Sequence, residues 1–395
     1  MPKPDVILSQ RLLLPELKLT GFYRGKNYFR LYAVKESEKE VCPRCATLSD
    51  SIYDHRTINI KDEPLRDKNI FLEIKKRRFW CKTCKKPFTE PVPGVLPRRR
   101  TTQRYRRSLL FACEKFLSLS KVIEHYKCSS SFVYNALYEQ LELRRKKKAH
   151  PWPEIVGIDE HAFKKAKKYG GSLYNTMIVN INRHKLMEIV DSKQSGILKD
   201  KLSYIAGREN VKWAVIDMCD PYRKFIKDYF PNARTVADKF HVLRLLNPAI
   251  NKARMSITGD KRTNPIRKLL LCNRNKLESY KRNALDMWLK AYPKMKELYD
   301  FKEALSRFYR IKGYERAKHV FDNILENAKQ SLIPEIQSLY RTLKYWKDEI
   351  LNYFLSRRTN AMTEGFNNKA KLVKRMAYGY KNFNNFRLRV LNACA

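Results

Sequence analysis

The sequence predicts an α/β fold, a mixed-sheet core interrupted by a helical insertion and preceded by a cysteine-bearing module and a short helical one. Three observations predict it. Cys42-Pro43-Arg44-Cys45 and Cys81-Lys82-Thr83-Cys84 bracket strand-like sequence near the N-terminus. Two apolar runs, at 154–158 and 211–216, each lead into an aspartate, Asp159 and Asp217. Far downstream, Thr363-Glu364-Gly365-Phe366-Asn367-Asn368 opens a helical pattern, and most of the sequence between reads as helix.

At 395 residues the chain is long enough for two or three domains. Apolar residues make up 43% and aromatics 12%, a composition that folds. Lys and Arg number 83 against 40 Asp and Glu, a net charge of +43. Such a surplus points to nucleic acid, because each phosphate neutralised releases counterions. A merely soluble basic protein is the plainer alternative. No run approaches the roughly 18 apolar residues of a spanning helix. The run Leu12–Leu14, closed by Pro15 and Glu16, is too short for a secretory core. Nine cysteines, four of them in two Cys-x-x-Cys pairs and none behind an export signal, favour metal over disulfides. A cytoplasmic location, nucleoid-associated when bound, is the expectation.

Residues 1–95 are expected to form a zinc-binding module. Cys42, Cys45, Cys81 and Cys84 supply four thiolates, a set that suits tetrahedral structural zinc and leaves no open position for catalysis. Strand-like segments at 57–60 and 70–79, with turn residues between them, would close the gap as a hairpin. The basic and aromatic run Lys75-Lys76-Arg77-Arg78-Phe79-Trp80 suits phosphate and sugar contacts, or equally a solvated edge strand.

Residues 96–150 read as a helix-turn-helix region with a basic linker. Arg98, Arg99, Arg100, Arg104, Arg106 and Arg107 follow Pro97 and are candidate DNA contacts. A helix starts near Thr101 or Thr102, with Leu109, Leu110, Cys113, Phe116 and Leu117 at helical spacing. Two shorter helices follow, at 119–126 and from 130 to about 141, knitted by Val122, Tyr126, Val133 and Leu137. The second would present Ser131, Tyr134 and Asn135 to a major groove, although small helix pairs also occur without DNA. The run from Arg144 to Lys148 reads as the linker, and Pro151 and Pro153 begin the next domain.

Residues 151–395 are expected to form the catalytic domain. Strands at 154–159, 173–182 and 185–190 come in series. Helix at 195–207, strand at 211–217, helix at 221–230, strand at 234–237 and helix from about 239 follow. This order describes a ribonuclease H-like arrangement, in which the first and fourth strands are neighbours and Asp159 meets Asp217. Two carboxylates held together repel, and Mg²⁺ or Mn²⁺ relieves that repulsion. A third acid on a packed helix would complete a two-metal site. Glu364 is placed for it: Thr359 or Asn360 can cap a helix through Met376. Glu364, Asn368, Lys371 and Arg375 then share one face, suited to a scissile phosphate and its flanking backbone. Taken alone, the same face is an amphipathic helix with a solvated acid. Asp238 and His241, three residues apart on a helix, can face the metal site from behind its direct ligands. Asp220, one turn past Asp217, is a rival for its role; Glu160 points to the other side of its strand from Asp159.

These residues together resemble the DDE transposases of bacterial insertion sequences, specifically the ISL-three group. The likeness runs through both cysteine pairs, Gly157-Ile158-Asp159-Glu160, Val215-Ile216-Asp217, Phe230-Pro231-Asn232-Ala233 and Asp238-Lys239-Phe240-His241-Val242. It ends with Asn360-Ala361-Met362-Thr363-Glu364-Gly365-Phe366-Asn367-Asn368-Lys369 and Arg375-Met376-Ala377-Tyr378-Gly379-Tyr380. The resemblance implies Asp159, Asp217 and Glu364 as the metal-binding triad, and a mostly helical insertion domain at about 245–350. It further implies cleavage by metal-assisted hydrolysis, then transesterification by the freed 3′-OH. The partners would be double-stranded DNA (inverted-repeat ends and target) and further copies of the chain, as a homodimer or higher oligomer. A non-catalytic, domesticated DNA-binding regulator and a nuclease without strand transfer are the alternatives.

Overall fold

The computed structural model describes residues 14–115, 118–147, 150–165, 172–259 and 265–394. Phe116, Leu117 and Lys148 lie outside the described residues. The chain divides into two compact units, one up to Arg144 with Met376–Gly379 and the other Arg145–Arg375 with Tyr380–Ala395.

In the first unit a five-stranded sheet runs in the order β1 (Leu17–Arg24), β2 (Tyr28–Lys35), β6 (Lys68–Cys81), β5 (Ile52–Leu65), with β7 (Lys86–Thr89) also on β6, and β3 (Glu40–Val41) pairs with β4 (Leu48–Ser49). The expected hairpin is β5–β6. It turns at Arg66 and Asp67, whose φ of 49° and 60° match the twist of a tight two-residue loop. Ile70, Leu72 and Ile74 alternate inward on β6 and meet Leu17, Ala33, Ile60 and Val92. Strands β1 and β2 were not foreseen, although Tyr28–Lys35 is rich in aromatic and β-branched residues.

Three helices follow: α1 (Gln103–Lys115), α2 (Leu119–Tyr126) and α3 (Ser130–Lys147). Val122, Tyr126, Val133 and Leu137 are buried, and Tyr126 packs edge-on against Tyr105 of α1. Helix α3 runs on through Arg144–Lys147, so that part of the expected linker is helix; Arg and Lys are good helix formers. Buried Asp62 on β5 fastens α1 to the sheet, accepting from the Thr102 hydroxyl (2.6 Å) and from Arg104 Nε (2.8 Å). Lys61 Nζ donates to the carbonyls of Tyr126 and Lys127, both at 2.9 Å, and closes the C-terminus of α2.

The second unit is built on a sheet ordered β10 (Lys185–Val190), β9 (Ser172–Asn180), β8 (Ile155–Lys165), β11 (Trp213–Ile216), β12 (Arg234–Ala237). The first three strands are antiparallel; β11 pairs in parallel with both β8 and β12. Ile178 faces one side, toward α4 (Ser195–Leu202), α5 (Asp220–Tyr229) and the insertion. Met177 and Val179 face the other, under α14 (Ala361–Met376) and α15 (Phe383–Ala393). Helix was expected through Gly207 but α4 ends at Leu202. Gly207, at φ 79°, turns the chain into a short 3-10 segment.

Between β12 and α14 lie α6 (Lys239–Arg244), α7 (Asn247–Thr258), α8 (Pro265–Leu271), α9 (Ser279–Ala291), α10 (Pro293–Phe308), α11 (Tyr314–Gln330), α12 (Pro334–Tyr345) and α13 (Lys347–Ser356). The insertion is helical, as its composition indicated. It does not form a separate core: Leu298, Phe308, Phe321 and Ile350 are continuous with Val156, Val215 and Phe225 under the sheet. Asn352 Nδ2 donates to the Thr235 carbonyl on β12 at 2.8 Å.

One buried ion cluster closes the far edge. Glu188 on β10, 2% exposed, accepts from Arg387 Nε (2.6 Å) and Nη2 (2.7 Å), from Tyr204 Oη, and from Arg145. Burial alone would raise its pKa, but Arg387, Arg145 and Tyr204 outweigh it and hold the carboxyl below its ordinary 4.5. The cluster's contribution is therefore complete above about pH 4.5 and is lost as pH falls through the lower folded-state value. Glu188→Gln is expected to cost about 3 kcal/mol at neutral pH and to flatten this acid limb. Thermal melts at stepped pH on both proteins check it.

Candidate active site

Register places the site. Ile158 on β8, Ile216 on β11 and Ala237 on β12 lie level across the three strands. The next residue on each is an acid, so Asp159, Asp217 and Asp238 form a row. Asp217 and Asp238 sit just past their strand ends. Asp159 does not end its strand as expected, because β8 runs on to Lys165, paired only with β9.

Asp159 and Asp217 press together. Burial first, then the charge of Asp217 and a hydrogen bond to it, raise the Asp159 carboxyl well above its usual range. Asp159 Oδ1 accepts from the Glu160 N–H (2.7 Å) and Oδ2 from Asn367 Nδ2 (2.7 Å). His241 Nδ1 lies 2.8 Å from Asp217 Oδ1, at ion-pair distance. Contact with Asp217, then with Asp238, raises His241 to about 10 against the effect of burial. Asp217, Asp238 and His241 can bring their ligand atoms within 4.8 Å of one another. Carboxylate oxygens gathered this closely are the donor chemistry a hard divalent cation takes.

Glu364 lies in the first turn of α14 and is exposed. It is not part of that close-set ligand group. Asn368, Lys371 and Arg375 are exposed with it. The face turned to the sheet carries Asn360, Thr363 and Asn367, which the sequence reading passed over. Their spacing of three and four is a second polar stripe, and it was the available signal. Asn360 Nδ2 donates to the Ile158 carbonyl (3.0 Å), and its Oδ1 accepts from the Thr363 hydroxyl. Asn367 also reaches the Glu160 carbonyl at 3.2 Å. Asp220 accepts from Tyr345 Oη (3.0 Å), and the Glu160 carboxylate faces Lys193 (3.4 Å) and Cys219 (3.7 Å).

Gly157 makes this close approach possible. A Cβ there would stand 2.7 Å from both Asn360 Oδ1 and Thr363 Oγ1. Gly157→Ala is expected to lose about 1–3 kcal/mol by displacing α14, measured by chemical denaturation.

In the first unit the two knuckles are built alike. The Ala46 N–H donates to Cys42 O (2.9 Å) and the Lys85 N–H to Cys81 O (2.8 Å); the two donors share φ values of 57° and 51°. All four sulfurs lie within 4.8 Å of one another, with Cys45 and Cys81 3.5 Å apart. Thr47, through its hydroxyl and backbone, lowers the Cys45 thiol to about 6, while its neighbour Cys45 chiefly raises Cys84. One dication satisfies all four thiolates, and the set fits structural zinc.

The six arginines divide. Arg104 is held by Asp62, Arg99 and Arg106 share Glu139 (3.3 Å each), and Arg98, Arg100 and Arg107 are exposed. Ser131, Tyr134 and Asn135 are exposed on α3. No helix among the described residues is long and apolar enough to cross a membrane.

A four-cysteine module thus stands ahead of an α/β core whose carboxylates gather at parallel strand ends. Residues 156–390 match the ISL3-group transposase profile, and residues 38–84 match the zinc-finger of transposase IS204/IS1001/IS1096/IS1165. The chain belongs to the ISL3 transposase family. It is 24% identical to the transposase for insertion sequence element IS1001 of Bordetella parapertussis over 375 residues, 91% of this chain and 90% of that protein. A shorter stretch of 108 residues is 32% identical to a Lactococcus lactis subsp. lactis protein named ATP-dependent protease, covering 27% of this chain and 33% of that one.

Proposed function

We propose that this transposase binds the inverted-repeat ends of its element and catalyses both strand cleavage and strand transfer. Its core would be ribonuclease H-like, with Asp159, Asp217 and Glu364 as metal ligands. The observation that carries this reading is the Asp159–Asp217 pair, two carboxylates crowded together at the ends of adjacent strands. Two Mg²⁺ or Mn²⁺ ions held there would stabilise the attacking and leaving oxygens of an in-line displacement. The chain's own work is positional. Asn367 orients Asp159, and Glu364, one turn before Asn367 on α14, would reach the same carboxylates. Asn368, Lys371 and Arg375 offer an amide and two cations to the flanking phosphates.

Recognition would fall to the first unit, with zinc fixing the ribbon and α2–α3 acting as a helix-turn-helix. Arg98, Arg100, Arg107 and Asn135 are outward-facing contacts. Two ends must meet before transfer, which calls for a homodimer or larger assembly. The test is incubation with labelled element ends and target DNA in Mg²⁺ and in Mn²⁺. Cut and joined products together are expected. Binding without cutting in either metal would identify a regulator, and cutting without joining a nuclease.

A further inference from the structure

Asp238 is 2% exposed, lies in the acid row and could be taken for a metal ligand. Its oxygens are already engaged. Oδ2 accepts the N–H of Phe240 (3.1 Å), capping α6, and lies 3.3 Å from His241 Nδ1. Oδ1 accepts the backbone N–H of Asn360 at 2.8 Å, across a wide gap in sequence and at the start of the helix that carries Glu364. Asn360 in turn holds the Ile158 carbonyl, next to Asp159. Asn367, one turn beyond Glu364, holds Asp159 itself. Glu364 thus lies between two fastenings to β8, and Asp238 anchors the first of them from β12.

We propose that Asp238 is a positioning residue, a latch that fixes the first turn of α14 against the strand ends and so sets where Glu364 meets Asp159 and Asp217. The inference rests on the metal-site reading above and assigns Asp238 no metal. A carboxylate suits the task because a buried anion at a helix N-terminus binds N–H groups strongly and faces the positive end of the helix dipole. An asparagine there keeps one acceptor oxygen; an alanine keeps none.

Amide hydrogen exchange on the metal-free, full-length protein tests this, together with Mn²⁺ binding followed by electron paramagnetic resonance. In Asp238→Ala the amides at 360–364 should exchange at least about tenfold faster than in wild type, with a smaller rise in Asp238→Asn. His241→Ala should leave those amides unchanged. Asp238→Asn should weaken Mn²⁺ binding about tenfold, as loss of an indirect support does, whereas Asp217→Asn should abolish it. If Asp238→Ala does not fold, the intermediate exchange of Asp238→Asn carries the test. Unchanged exchange at 360–364 overturns the latch, as does loss of Mn²⁺ binding in Asp238→Asn as complete as in Asp217→Asn. Should Asp159→Asn and Asp217→Asn both bind Mn²⁺ normally, the metal-site reading fails, while the exchange data still decide the latch.

Discussion

Asp217→Asn is expected to slow strand cleavage by more than about 10³-fold, the scale on which loss of a preorganised charge acts, and to leave binding to element ends close to wild type. The substitution keeps the shape of the side chain and removes the charge that a divalent cation requires. Asp217 is only partly buried and lies beyond the end of β11, so the sheet beneath it is undisturbed. Removing the Asp217 charge relieves its repulsion with Asp159 and loses its attraction to His241, so the two effects oppose and the variant should melt close to wild type. Single-turnover cleavage, mobility shift and a thermal melt on the same preparation check all three parts. Cleavage at the wild-type rate would take Asp217 out of the site.

Stripping zinc should produce an effect of similar size in the other unit. Phe79, Phe88, Cys42 and Cys81 form a very small apolar cluster, too little to hold the knuckles by burial alone. Structural zinc in small modules contributes about 10 kcal/mol or more of apparent folding energy. Chelation, or Cys81→Ser, is therefore expected to unfold the ribbon and abolish end binding. The second unit has its own continuous core and should keep its unfolding transition. Metal content by emission spectroscopy, read beside circular dichroism and mobility shift, checks the outcome. End binding that survives complete loss of zinc would move recognition elsewhere.

What was legible in the sequence followed from local pattern. Apolar runs ending in acids marked β8 and β11, and two cysteine pairs marked the ribbon. Helical spacing at Val122, Tyr126, Val133 and Leu137 marked the buried positions of α2 and α3. What stayed hidden depends on pairing between distant segments. Asp238 falls in the acid row because β12 pairs with β11 in one register, and nothing in Arg234–Ala237 states that register. Asn360 and Asn367 were overshadowed by the charged stripe beside them, since sequence gives a helix its faces but not which face meets the sheet. The insertion was readable as helix, yet its shared core with the sheet shows only when Phe308 and Phe225 fall in one cluster. Basic side chains at 144–147 suggested a linker by charge, whereas backbone propensity continued the helix.

Asp159, Asp217 and Glu364 are expected to form one metal centre. A crystal of the protein soaked in Mn²⁺ and measured at the manganese absorption edge tests it most directly. Anomalous density among those three carboxylates, with Asp238 still bonded to the Asn360 amide, is the predicted result. Density centred on Asp217, Asp238 and His241, with Glu364 left in solvent, would contradict it.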